Sequence, residues 1–368
     1  MPPIRVGFIG LSSTMSWAVF SHLPYLKSTS KYEIVALCNS SLEAAQAAIK
    51  AHRLPSTTKA YGTPEDMAAD PEIDLVVCAT RVDRHYSNLL PSIKAGKDVF
   101  CEWPLATNAA EAEEMVKISK DKGVKTIVGI QAHMSPALRK IKEIIASGKI
   151  GKVLSSTFHG TPLTLGATMP ENYLYQNDKS IGGNLVTIYG IHSLESIQYV
   201  LGPLTSYTPL LGISFPETKV TTAAGKPTDR TSPRTSHDQF LLHGLVSSGA
   251  VLSYHLHGGP AFSNSPTAGH IWRVFGTLGE IQTTGPDSYL QIAEENIKIE
   301  VFEHASGTTE VAELGKDGFN ELMMYGRNVA RLYEGFADGK GVEEGVLGWG
   351  EALERHKFVD EIYKKAGV

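Results

Sequence analysis

Ile4-Arg5-Val6-Gly7-Phe8-Ile9-Gly10-Leu11-Ser12-Ser13-Thr14-Met15-Ser16-Trp17 is the stretch that decides how this chain is read. A short, largely apolar run ending in glycine is the pattern of a buried strand leaving a sheet. A turn that binds a dinucleotide reads Gly-x-Gly-x-x-Gly after such a strand. The glycines permit the tight bend and let the backbone approach a pyrophosphate at a helix N-terminus. Only Gly10 of that triplet is present, with Ser12 in the second place and Met15 in the third. The hydroxyls of Ser12 and Ser13 are able to donate to a phosphate held slightly further out. On spacing alone, an ordinary strand-to-helix turn that binds nothing fits as well.

Working outward, short apolar runs at Ile4–Ile9, Glu33–Cys38, Asp74–Ala79, Asp98–Cys101 and Thr126–Ile130 read as strands. Between them lie helical patterns over Ser41–Ala51, Asp83–Ala95 and Ala109–Asp121, the last bracketed by Asn108 as N-cap and Gly123 past its end. The alternation predicts βαβ units, hence an α/β domain with a parallel sheet over residues 1–131. A helix over Pro136–Ala146, capped by Ser135 and followed by Gly148, connects it to a different pattern.

That second pattern has a helix around Asn184–Leu201, stopped by Gly202-Pro203. Its strand-like runs are Val153–Phe158, Gln239–Val246, Ala250–His257, Ile271–Phe275, Glu280–Thr283, Tyr289–Ala293 and Ile297–Phe302. Helices near Asn320–Phe336 and Leu347–Lys365 follow. Residues 132–368 are therefore expected to form an α+β domain with a mostly antiparallel sheet, its closing helix returning toward the first domain. Residues 215–234, rich in Thr, Pro, Lys and Arg, read as a long mobile or partner-facing loop.

Composition excludes several function classes. A length of 368 residues suits two domains, and 42% apolar with 20% charged residues is globular. The net charge of −5 comes without basic runs, which argues against direct nucleic-acid binding. Cys38, Cys78 and Cys101 sit in apolar runs and read as buried small hydrophobes. With no secretory start and no apolar stretch of about 20 residues, the expectation is a cytoplasmic protein, nuclear if regulatory. The second strand ends in Asn39-Ser40-Ser41, where an acidic residue would select NAD. A neutral residue tolerates a 2′-phosphate, so NADP or NAD stays open.

Ala79-Thr80-Arg81-Val82-Asp83-Arg84-His85, Glu102-Trp103-Pro104, Gly182-Gly183 ahead of His192, and Phe275-Gly276-Thr277-Leu278-Gly279-Glu280-Ile281 carry a resemblance. With the opening strand and turn, they resemble the glucose-fructose oxidoreductase and inositol dehydrogenase family over nearly the whole chain. Trp17-Ala18, His22 before Pro24, Gln131 ahead of Ser135-Pro136, and Leu185-Val186-Thr187 ahead of His192 are similar to its fungal galactose-pathway repressor-like subgroup. The resemblance implies an N-terminal Rossmann dinucleotide-binding domain and a C-terminal substrate domain. It implies NADP or NAD held by Gly10, Ser12, Ser13, Met15, Trp17, Asn39, Ser40, Thr80, Arg81, His85, Glu102, Trp103 and Gln131.

The chain departs from the family where chemistry is done. The lysine of Glu-Lys-Pro is Trp103, and the aspartate four residues before the histidine is Ile188. Neither replacement exchanges a proton. One reading is an enzyme for a sugar-like or other small hydroxyl, carbonyl or imine substrate. In it His192 exchanges the proton, with Tyr189 three residues away on one helical face and Glu102 and His133 in support. The other is a non-catalytic dinucleotide sensor that binds a protein partner. Either is expected to be a homodimer or tetramer, joined through the uncovered face of the antiparallel sheet. His255-Leu256-His257 points two imidazoles to one side of a strand, but the sequence places no third ligand and no metal is expected.

Overall fold

The computed structural model describes residues 2–261, 269–292 and 294–368. The chain divides into two compact units, Met1–Gln131 with Lys316–Lys357 and Ala132–Gly315 with Phe358–Val368.

In the first unit β1 (Ile4–Ile9), β2 (Tyr32–Cys38), β3 (Lys59–Tyr61), β4 (Leu75–Cys78), β5 (Asp98–Cys101) and β6 (Thr126–Val128) form one sheet in the order β3-β2-β1-β4-β5-β6. Every pairing in it is parallel. The order reverses between β1 and β4, which opens a crevice at the carboxyl ends of the strands. Strands covered on both faces lose the polar alternation, and all four residues of β4 are buried. Phe8, Val76, Val77 and Phe100 are fully buried, each contributing about 1.5–3 kcal/mol relative to exposure. Asn108 accepts from the Glu111 N–H and Gly123 closes that helix at φ 66°, as the spacing predicts, while Ser41, read as the first residue of its helix, caps it by accepting from the Ala44 N–H.

Residues 316–357, expected in the second domain, belong to this first unit. The reason is aromatic packing. The helix Met324–Ala337 brings Tyr333 to 5.0 Å from Phe100 and 5.1 Å from Tyr32 between ring centroids, and the Tyr32 hydroxyl donates to the Tyr333 carbonyl at 2.6 Å. Further on, the Trp349 indole N–H donates to the Ile127 carbonyl at 3.0 Å. The closing helix, Trp349–Ala366, therefore starts in the first unit and ends in the second.

The second unit is built on β7 (Val153–Gly160), β8 (Thr168–Pro170), β9 (Leu204–Gly212), β10 (Glu217–Thr221), β11 (Pro227–Pro233), β12 (Gln239–Val246), β13 (Val251–His257), β14 (His270–Gly276), β15 (Gly279–Gly285), β16 (Lys298–Glu303) and β17 (Thr308–Val311). Eight of these make a sheet in the order β17-β16-β15-β14-β7-β13-β12-β9, antiparallel except for the β7–β13 pair. Period-two burial sets its two faces. Leu252, Tyr254 and Leu256 point into a core shared with Leu138, Ile141, Leu194 and Ile197 of the helices Pro136–Ala146 and Ile191–Leu201. Leu210, Val251 and Ile271 lie on the open face, exposed by 63%, 52% and 46%.

Two expectations are corrected here. Residues 215–234 are not a structureless loop: β10 and β11 pair as a hairpin and β8 joins β10 in parallel. The hairpin is pinned by Arg234, fully buried, whose guanidinium donates to Asp238 at 2.9 Å, Thr218 at 2.6 Å, Asn177 at 3.0 Å and the Leu165 and Gly166 carbonyls at 2.6 and 3.1 Å. Every guanidinium direction is thus occupied, which is what a buried charge requires. The strand expected over Tyr289–Ala293 is absent from residues 289–292, which form turns, and Ala293 lies outside the described residues. Leu290 and Ile292 are buried, so their apolar character reflects a core-facing segment outside any strand, and Gln291 between them is a buried polar side chain.

Candidate functional site

The residues expected to hold a dinucleotide gather at the carboxyl ends of the parallel strands. Gly10, after β1, has φ +92°, and a Cβ there would meet Thr80 Cγ2 at 2.6 Å and the Ala79 carbonyl oxygen at 3.1 Å. Glycine is therefore required by both backbone and space. The loop after it is held from three sides. Ser12 Oγ lies 3.0 Å from Thr14 Oγ1 and accepts from the Thr14 N–H, His52 Nε2 donates to the Ser12 carbonyl at 2.6 Å, and the Asn39 amide donates to the Leu11 and Ala44 carbonyls at 3.0 and 3.3 Å. Ser13, Met15 and Ser40 are exposed along this edge.

The helix after this loop spans only Trp17–Ser21. The Ser16 hydroxyl and the Trp17 indole N–H at its start are buried without a hydrogen-bond partner among the described residues, as is Oε1 of Gln131 beyond β6. Buried polar atoms left unpaired are costly and point to a missing polar group. The Gly10 cradle and these three atoms fit a dinucleotide lying along the sheet edge.

After β4, Thr80 receives the Asn88 amide at 3.2 Å, and Arg81 is bonded to Asp83. His85 is buried, with Nε2 2.9 Å from the Thr80 carbonyl and Nδ1 2.8 Å from the Pro104 carbonyl, and the single N–H of the neutral ring donates to one of the two. Burial holds it below the usual histidine range. Its geometry ties the Thr80 turn to the Glu102-Trp103-Pro104 turn.

Glu102, after β5, is 8% exposed, and its carboxylate accepts from His22 Nε2 at 2.8 Å. The other nitrogen, His22 Nδ1, lies 2.8 Å from the Tyr333 hydroxyl. With Nε2–H committed to the carboxylate, Nδ1 accepts from Tyr333, giving a buried chain from tyrosine through imidazole to carboxylate. Gly129, after β6, completes the seat, since a Cβ there would meet Glu102 Oε2 at 2.5 Å. Trp103 is 5% exposed and packs at 4.7 Å from the ring of His356, which burial pushes down to about 4. Sequence reasoning named Glu102 but missed His22 and Tyr333 as its partners.

In the second unit, Asn184 caps a π-helical turn, Leu185–Gly190, which runs directly into the helix Ile191–Leu201 carrying His192. His192 is buried, with Nδ1 3.2 Å from the side-chain amide of Gln291 and its ring edge-on to Tyr289 at 5.5 Å. Tyr189 also packs on Tyr289, at 5.3 Å, and its hydroxyl donates to Gln176 Oε1 at 3.3 Å. Burial raises both tyrosines above the usual phenol range. Gln291, the group against His192 Nδ1, was missed because its segment reads as a strand. His133, expected to act from the cofactor domain, belongs instead to the second unit and is bonded to Glu195 at 2.9 Å.

The three cysteines are buried and free, and burial pushes the Cys38 thiol up to about 12. His159 lies opposite His255 across β7 and β13 and adds a third imidazole to the His255/His257 pair, with ring centroids 5.1–5.7 Å apart. Among the described residues, no group of three or more His, Cys, Asp or Glu side chains is arranged to hold a metal ion. No helix among them is long and apolar enough to cross a membrane.

Comparison with known proteins agrees with this architecture. Residues 4–130 match the oxidoreductase family with an NAD-binding Rossmann fold, and residues 136–285 match the C-terminal domain of Gal80p. The chain is 30% identical over 372 residues to dehydrogenase aclE of Aspergillus oryzae, covering 99% of this chain and 96% of that one. It is 28% identical over 362 residues to the galactose/lactose metabolism regulatory protein GAL80 of Saccharomyces cerevisiae, covering 91% and 82%. The crystal structure of a super-repressor mutant of Gal80p from the same yeast superposes with a TM-score of 0.86 at 25% identity, over 99% of this chain and 96% of that one. With its parallel six-stranded sheet, its Gly10 turn and its Gal80p-type second unit, the chain belongs to the oxidoreductase family with the NAD-binding Rossmann fold.

Proposed function

We propose that this protein is an NAD(P)-dependent oxidoreductase acting on a small hydroxyl, carbonyl or imine substrate, with His192 as the group that exchanges the proton. The observation that carries this reading is His192 itself: buried, mounted on a helix directly after a π-helical turn, and hydrogen-bonded at Nδ1, as a proton-exchanging imidazole must be to keep its orientation. In the first unit Gly10, Ser12, Ser13, Asn39, Thr80 and Gln131 are the groups that would hold the dinucleotide. When bound, it supplies the hydride acceptor or donor. Glu102, fixed by His22, is a negative charge at the same sheet edge. Tyr189, engaged with Gln176, packs the wall beside Tyr289.

A second reading is a dinucleotide-binding regulator like GAL80. It is supported by Trp103, a buried indole where the family resemblance has the catalytic lysine. The protein is proposed to work in the cytoplasm, or the nucleus for the regulator, as a homo-oligomer joined through the open sheet face bearing Leu210, Val251 and Ile271.

The discriminating experiment follows NADH or NADPH absorbance with a panel of sugars, lactones, ketones, imines and their reduced counterparts. Turnover abolished in His192→Ala establishes the enzyme. Retention of coenzyme without turnover on any substrate supports the regulator. Failure to retain either coenzyme at millimolar excess removes both readings.

A further inference from the structure

We infer that Asn39 selects NAD(H) over NADP(H), because the one side-chain atom it leaves for a coenzyme is a hydrogen-bond acceptor. The inference rests on the coenzyme-binding reading proposed above and adds which of the two coenzymes the site takes.

The orientation of the Asn39 amide is fixed by its neighbours. Nδ2 lies 3.0 Å from the Leu11 carbonyl and 3.3 Å from the Ala44 carbonyl. Both partners are oxygens that only accept, so the end of the amide that meets them must be the NH2, and both of its protons are committed. The amide thereby ties the turn after β1 to the first turn of the helix Leu42–Ala51. Oδ1 receives no hydrogen bond from the described residues and, with Asn39 half-buried, is open to solvent. An aspartate here would set an unprotonated oxygen against the same two carbonyls, so the amide fits this turn where the acid does not.

Asn39 stands at the carboxyl end of β2, beside Gly10, whose N–H donates to the Cys38 carbonyl at 3.1 Å. A dinucleotide seated on such a turn brings its adenosine ribose to the end of the second strand. The 2′-hydroxyl of NAD(H) is a donor and matches Oδ1. The 2′-phosphate of NADP(H) is an anion with acceptor oxygens and meets a lone pair instead. Ser41 accepts from the Ala44 N–H and donates to Glu43. The Glu43 carboxyl, exposed in the first turn of the helix, is held below the usual range by its own backbone N–H and by the Ser41 hydroxyl, so it adds a charge of the phosphate's own sign. His52, which also reaches the turn, has Nε2 on the Ser12 carbonyl at 2.6 Å. The exposed Ser40 hydroxyl remains as a donor, a single neutral bond where a phosphate is best held by a guanidinium fork.

The test is calorimetric binding to the full-length protein of NADH, NADPH and 2′-deoxy-NADH, the last lacking only the adenosine 2′-hydroxyl. NADH is expected to bind about tenfold or more tighter than NADPH and several-fold tighter than 2′-deoxy-NADH, the size of one hydrogen bond made or left unmatched. Asn39→Ala should bring the NADH and NADPH affinities together, a ratio that general loosening of the turn does not change, with a melting curve confirming the fold. The 2′-deoxy comparison needs wild type alone and decides the matter where that variant fails to fold. NADPH bound as tightly as NADH or tighter, or 2′-deoxy-NADH bound as tightly as NADH, overturns the inference and leaves the coenzyme-binding reading standing. Retention of neither coenzyme removes that reading and this inference with it, so the two failures are distinguishable.

Discussion

Replacing His22 by leucine is the sharpest probe of how the first unit holds Glu102. The substitution removes the donor to a carboxylate that is 8% exposed and, at the other end, the acceptor of the fully buried Tyr333 hydroxyl. A hydrogen bond to a charged group contributes about 1.5–3 kcal/mol, and an orphaned buried polar group costs about 1–3 kcal/mol, so His22→Leu should cost about 3–5 kcal/mol. Tyr333→Phe orphans only His22 Nδ1 and should cost about 1–3 kcal/mol. Glu102→Gln keeps an acceptor for Nε2–H and should cost about 1 kcal/mol or less, while removing the charge. Urea unfolding followed by tryptophan fluorescence measures all three, with coenzyme affinity determined on each folded variant. The expected order of destabilisation is His22→Leu, then Tyr333→Phe, then Glu102→Gln, with Glu102→Gln alone separating charge from packing in coenzyme binding. A cost below about 1 kcal/mol for His22→Leu would refute the bonded chain. Equal costs for Glu102→Gln and His22→Leu would show that the contact depends on ionic attraction.

Asp238→Ala strands the buried guanidinium of Arg234 and frees the Ser214 and Phe215 N–H groups, so it should cost about 3–5 kcal/mol, with amide exchange accelerating first in β10 and β11. Gly10→Ala forces a Cβ to within 2.6 Å of Thr80 Cγ2 at φ +92°, and coenzyme binding should weaken before the unit loses its fold, as calorimetry alongside a melting curve would show. Buried His270 and half-buried Asp287 give the second unit opposing pH dependences. Burial pushes His270 down to about 4, so between about pH 6.5 and 4 the unfolded chain takes up a proton that the folded chain refuses, and acidification costs stability. Burial pushes Asp287 up to about 7, so between about pH 4 and 7 the folded chain holds a proton that the unfolded chain has lost, and stability falls as pH rises through that window. Asp287→Asn should therefore gain on the order of 1–4 kcal/mol over wild type at pH 8 and little at pH 4, and equal melting differences at both would contradict the assignment.

How much of this was legible in the sequence depends on where each group finds its partner. The parallel sheet was, because most of its strands are continuous apolar runs and the helices after them are punctuated by Asn108, Gly123 and Ser135, which act on neighbours within four residues. β3, at three residues, is too short to carry a period. The β10–β11 hairpin was not legible, because its Thr-, Lys- and Pro-rich strands are held by Arg234 through contacts to residues 165, 166 and 177. In the candidate site, Glu102 and His192 stood out by resemblance. Their partners could not: His22 lies 80 positions from Glu102, Tyr333 lies 311 from His22, and no periodicity links groups that meet only in the folded chain.

The missing lysine is built into the packing and is not a gap that one substitution refills. Trp103 is 5% exposed against His356, and burial already drives that imidazole down to about 4, so the same surroundings would disfavour a second cation. Trp103→Lys would remove the indole packing and desolvate an ammonium at once, and should cost more than about 3 kcal/mol at pH 7. The lysine would hold its proton less tightly in the folded than in the unfolded chain. Stability of the variant should therefore rise with pH from its depressed folded value toward about 10, recovering part of the loss by pH 9. Urea unfolding at pH 7 and 9 measures both terms. A variant as stable as wild type and insensitive to pH would mean that water reaches position 103. In that case the loss of lysine would be a reversible change in a site otherwise ready for the family chemistry. The destabilised, pH-sensitive outcome means that the packing around position 103 does not accommodate a charged lysine.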